Sequence, residues 1–81
     1  MRTRLESADD GVDGVRIRCV ETGQSVQLAD VGRCFRLYRD DDGPSINIAR
    51  GNGWNATLRR VRQWLRDGDL PVRDMHMPDL R

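Results

Sequence analysis

Apolar and polar residues alternate through the first two thirds of the chain, and the period changes near its end. In residues 15–20, Val15, Ile17 and Cys19 share one side while Arg16 and Arg18 take the other, the two-residue period of a half-buried strand. A turn at Glu21–Gln24 follows, and residues 25–28 resume the alternation with Val26 and Leu28 inward. Together they predict a first hairpin. Residues 33–39 form the next alternating run, with Phe35 and Leu37 inward. The sequence Asp40-Asp41-Asp42-Gly43-Pro44 then marks a turn, and residues 45–50 return with Ile46 and Ile48 inward.

Beyond Gly51-Asn52-Gly53 the period becomes helical. Trp54, Leu58, Val61 and Leu65 recur at i, i+4, i+7 and i+11, one narrow face at about 100° per residue. The spacing predicts a helix over residues 54–66. Asn52 or Asn55 would cap it, Arg66 would fall in the last turn, and Gly68 would stand just past the end. Relative to Trp54, Arg62, Arg66 and Arg59 lie at about 80°, 120° and 140°, and Trp64 lies about 80° the other way.

The fold class that follows is α+β: a four-stranded antiparallel sheet of two hairpins with one C-terminal helix packed on one face, a ββββα order. Its expected core is Val15, Ile17, Cys19, Val26, Leu28, Val31, Phe35, Leu37, Ile46, Ile48, Trp54, Leu58, Val61 and Leu65. The other sheet face would show Arg16, Arg18, Gln27, Cys34, Arg36, Tyr38 and Asn47. Residues 1–13 read as a loose polar segment, 14–68 as the domain, and 69–81 as an extended tail whose two prolines forbid a regular helix. The tail would dock through Leu70 and Val72.

At 81 residues this is one small domain, burying only about 60–65% of its surface. Added burial against a partner or a second copy, as in a homodimer, is physically reasonable. No apolar run approaches a membrane span. The opening residues lead into acids and glycines, so no export signal is expected, and two cysteines make no disulfide framework. A reducing cytoplasm is the expected compartment, with Cys19 and Cys34 unpaired because strand parity sends them to opposite faces.

Fourteen basic and thirteen acidic residues nearly cancel, and every basic residue is arginine. That usage fits a GC-rich genome. It also supplies planar donor forks suited to carboxylates, phosphates and aromatic faces. Near-neutral charge gives no strong global field for a polyanion, so nucleic-acid binding would need arginines gathered on one face.

Catalytic chemistry finds little support. His76 stands alone in the tail, with no nucleophile placed beside it. Met75-His76-Met77 offers soft ligands, but three adjacent residues converge poorly on one ion. The acidic turn fails the calcium-loop pattern, since the twelfth position from Asp40 is Gly51 where a glutamate is needed. The turn is still an acidic knob able to meet an arginine patch. Gly51-Asn52-Gly53 matches no phosphate-loop pattern. The expectation is therefore no enzyme, no cofactor and no metal site.

Two surfaces stand out as partner-binding candidates: Arg16, Arg18 and Arg36 with Tyr38 on the sheet, and Arg59, Arg62 and Arg66 with Trp64 on the helix. Arginine and aromatic residues are enriched where partners bind. The arrangement is similar to sheet-plus-helix modules found in small protein inhibitors and in small DNA-binding domains. The first expectation is a protein-binding module, such as a phage- or mobile-element-type inhibitor or accessory protein. The second is a nucleic-acid binder using the same arginines.

Overall fold

The computed structural model describes residues 2–75. It shows an antiparallel sheet covered on one face by a single C-terminal helix. The strands are β1 (Thr3–Ser7), β2 (Gly14–Cys19), β3 (Ser25–Asp30), β4 (Phe35–Arg39) and β5 (Ile46–Ile48). Each pairs with the next, in the order β1-β2-β3-β4-β5. One 3-10 turn, Arg50–Asn52, leads into helix α1 (Gly53–Asp67).

The sheet therefore has five strands where the alternation gave four. The additional one is β1, inside the stretch read as loose. Its pairs run from Thr3 opposite Cys19 to Ser7 opposite Val15, and the contact extends as the Val20 amide donates to the Arg2 carbonyl at 2.9 Å. Helix α1 packs over β2 and β3. Leu5 on β1, paired with Ile17, stays 44% exposed. A strand outside the shadow of the helix carries no apolar alternation to betray it.

The core lies between the sheet and α1. Ile17, Cys19, Val26, Leu28, Phe35, Leu37, Ile46, Ile48, Val61 and Leu65 are buried in one cluster, and each fully buried aliphatic side chain contributes about 1.5–3 kcal/mol. Val15, Trp54 and Leu58 are only partly buried at its margin. Val31, expected inside, is 45% exposed because it follows the end of β3 and begins the turn to β4. Trp54 stands edge-on to Phe35, ring centres 5.4 Å apart. Arg50 lies over the same phenyl ring at 4.8 Å and pairs with Asp30.

The row of α1 that points straight into the core is Thr57, Val61 and Leu65. Thr57 is fully buried because its hydroxyl donates to the Gly53 carbonyl at 2.8 Å, which satisfies the polar atom within the helix. The helix ends at Gly68, whose φ of 74° is left-handed and suits glycine. At the other end Asn52 holds the cap position without a side-chain cap bond.

After Gly68 the chain returns to the sheet. Leu70 packs against the core, while Val72 is 62% exposed and does not dock. Met75 lies parallel to Ile48 along the outer edge of β5. Its amide donates to the Asn47 carbonyl at 2.9 Å, and its carbonyl accepts from the Ala49 amide at 3.1 Å. Asp74 Oδ1 accepts from the Asn47 amide at 2.9 Å. An edge strand that would otherwise invite another chain is thus occupied by the protein's own tail.

Candidate functional site

The sheet face turned away from α1 carries the first predicted set. Arg16 projects from β2 over β3, its side chain 14% exposed. It donates to Asp9 at 2.7 Å, to Asp40, and to the Ser25 hydroxyl at 3.2 Å. Ser25 itself donates to Asp40. Gln27, buried on β3, accepts from the Asp9 amide at 2.9 Å and donates to the Asp9 carboxylate at 3.1 Å. The β1–β2 connection therefore arches across this face and lands on the central strand. Ser25 and Gln27 are thus buried although they point away from the core, Gln27 under Asp9 and Ser25 under Arg16 and Asp40.

Arg18 meets Glu6 across the β1–β2 pair at 3.1 Å and donates to the Gly23 carbonyl at 2.9 Å. Arg4 meets the same glutamate at 2.6 Å. Arg36, half-buried, donates to Asn47 Oδ1 at 3.0 Å, and Tyr38 beside it is half-buried. Carboxylates respond to this company. The Arg4 and Arg18 guanidiniums hold Glu6 below its usual range. Arg16, with Gln27, lowers Asp9, and Arg16 itself is pushed up by Asp9 and Asp40.

The acidic turn is likewise tied inward. Arg39 grips Asp41 through two bonds of 3.0 and 2.7 Å, and the Gly43 amide adds a third at 3.0 Å. Asp41 falls to about 2, chiefly through Arg39. With Asp40 on Arg16 and Asp41 on Arg39, the knob expected to meet a partner's arginines meets this chain's own.

Helix α1 presents the second set, and here the environment differs. Between Trp54 and Arg66 the helix contains no acid. Arg59, Arg62 and Arg66 share its solvent side with Ala56, Arg60 and Gln63. Arg59 and Arg66 are exposed. Arg62, half-buried, donates from Nε to Thr3 Oγ1 at 2.8 Å, which ties the helix to β1. Among the described residues no carboxylate pairs with Arg59, Arg62 or Arg66. Trp64, expected as an exposed anchor, lies half-buried against the core. It sits about 60° from the centre of the buried row, close enough for a large ring to fold under.

Two exposed residues are not among the surface candidates expected from sequence: Asn55 enters there only as a possible helix cap, and Gln63 not at all. Asn55 and Gln63 flank Arg59 at i−4 and i+4, so the three form one outward row. Their spacing is plain in the sequence, but neither carries the charge that singles out the arginines.

His76 and Met77 lie outside the described residues. Among those described, no group of histidine, cysteine and acidic side chains could hold a metal ion. Cys19 is buried and Cys34 half-buried, both unpaired. No helix is long and apolar enough to cross a membrane among the described residues. Compared with known proteins, the chain matches no family model, no curated protein and no solved structure.

Proposed function

We propose that this is a non-enzymatic nucleic-acid-binding module that meets phosphates through the outer side of α1. One observation carries the reading: Arg59, Arg62 and Arg66 stand together on a helix with no acid among them, while the acids nearest the other arginines are already engaged. Near-neutral net charge counts against a polyanion where the two signs are mixed, as on the sheet face, and less where arginines gather without acids, as between Trp54 and Arg66. A guanidinium fork suits phosphate oxygens. The free cysteines fit work in the cytoplasm.

A protein partner is the second reading, and the interleaved charges around Arg16 and Arg18 favour it. It has lost one anchor, since Trp64 is turned toward the core, and binding hot spots centre on such aromatics.

Salt dependence separates the two. Duplex affinity should fall linearly with salt on logarithmic axes, by about 0.9 per phosphate neutralised. The double change Arg62→Ala with Arg66→Ala should lower that slope by roughly two units and weaken all sequences alike. Salt-insensitive capture of a protein, with no duplex bound at physiological salt, would transfer the assignment to the second reading.

A further inference from the structure

We propose that α1 enters the major groove of duplex DNA and reads base edges with Asn55, Arg59 and Gln63. The inference rests on the phosphate-binding reading above and adds sequence recognition to it. The three residues follow one another at i, i+4 and i+8. They lie nearly opposite the buried row Thr57, Val61 and Leu65, so they are the side chains that project furthest from the sheet. All three are exposed. Their side chains make no hydrogen bond among the described residues, unlike Arg16, Arg18 and Arg36 on the sheet.

Their chemistry matches the groove. Asn and Gln can each bond adenine at two edge atoms, and Arg can do the same at guanine. The row spans about 12 Å along the helix axis, the length of three to four base pairs. A helix with its side chains is about 10–12 Å across, and the major groove is about 12 Å wide. Arg62 and Arg66 lie to one side of the row, where the phosphate wall of the groove would run. Asp67 and Asp69 close the C-terminal end and would repel phosphates there, so the first turns and the middle of α1 enter, led by the exposed Gly51-Asn52-Gly53. Duplex RNA does not fit, because its major groove is too deep and narrow for side chains to read.

The test is selection from a randomised duplex library with the full chain, followed by fluorescence anisotropy at fixed salt. Enrichment of a short site containing guanine and adenine is expected. Arg59→Ala should then lose about 5- to 150-fold in discrimination at one base pair, and 7-deazaguanine at that position should reproduce the loss with the unaltered protein. Asn55→Ala and Gln63→Ala should each relax a different position. Circular dichroism melts of each variant keep folding out of the comparison. If these three variants weaken every sequence equally, or none, while Arg62→Ala and Arg66→Ala still reduce the salt slope, the helix rests on the backbone and the groove inference is wrong although the function stands. Equal affinity for duplex RNA would overturn the inference in the same way. No duplex binding at all would remove both.

Discussion

Two faces of this small domain carry arginines in similar number, and they have different fates. On the sheet face, Arg16 and Arg18 sit among carboxylates brought from β1, from the β1–β2 connection and from the turn after β4. On α1, no carboxylate among the described residues pairs with Arg59, Arg62 or Arg66. The side chain is the same; what differs is whether the chain's path delivers a counter-charge. Where it does, arginine fastens one part of the protein to another. Where it does not, the donor fork is left for something outside. The sheet-face set also covers buried polar atoms on β3, so it acts as a lid over that strand. Of the helix set, Arg62 reaches back to Thr3 on β1, while Arg59 and Arg66 are exposed.

Both faces stand on one scaffold, and the largest effect tests it. Leu65→Ala should cost about 2–5 kcal/mol in urea unfolding, since Leu65 is buried under the sheet and truncation leaves a cavity. Leu58→Ala should cost less, because Leu58 is only partly buried. Equal losses at the two positions would mean that the inward row is misplaced, and the outward row with it.

Next in size is the sheet face itself. Arg16→Ala removes the shared partner of Asp9, Asp40 and Ser25 and uncovers Gln27. Stranding partly buried polar groups should cost about 1–2 kcal/mol, several degrees in melting temperature for a domain of this size. Arg4→Ala should cost far less, since its pair with Glu6 is largely in solvent and such pairs contribute about 0–1 kcal/mol.

Acid should act where carboxylates are paired with arginines, and α1 between Trp54 and Arg66 offers none. Glu6, Asp9 and Asp41 all bind protons less readily in the folded chain than their ordinary values predict. Protonation therefore favours unfolding. Their contribution is complete above the ordinary carboxylate range and is lost as pH falls through that range toward about 2, where Asp41 titrates. Melting temperature should drop over that interval, and less steeply in Arg16→Ala, which has already lost the Asp9 contact. A melting temperature unchanged down to pH 2 would show that the pairs on the sheet do not hold it together.

These contrasts also mark where sequence reasoning works. The helix was legible to within a residue at each end, residues 54–66 against Gly53–Asp67, because a 3.6-residue period and a following glycine are local signals. Strands β2 to β5 were legible from alternation. β1 was not, since it lies beyond the helix and has no apolar row to bury. Thr57 was missed because its burial depends on a bond to its own backbone. The arginines could be sorted to faces by arithmetic, but not as engaged or free. Arg16 meets an acid 24 residues away at Asp40 and another seven away at Asp9, and both contacts depend on loop paths that no periodicity encodes.

The smallest expected effect is the sharpest test of the contrast. Arg59→Ala should change stability by less than about 0.5 kcal/mol, because Arg59 is exposed and has no partner among the described residues. Alanine is also the better helix former, by a few tenths of a kcal/mol at most, so a slight gain is within expectation. Set beside Arg16→Ala, the change removes the same cation from the same small protein, so any difference belongs to the surroundings. Comparable losses at the two positions would mean that the helix arginines hold the fold together no less than those on the sheet. A stable Arg59→Ala protein beside a weakened Arg16→Ala protein would instead show that the helix arginine is carried without structural need, as a surface kept for a partner requires.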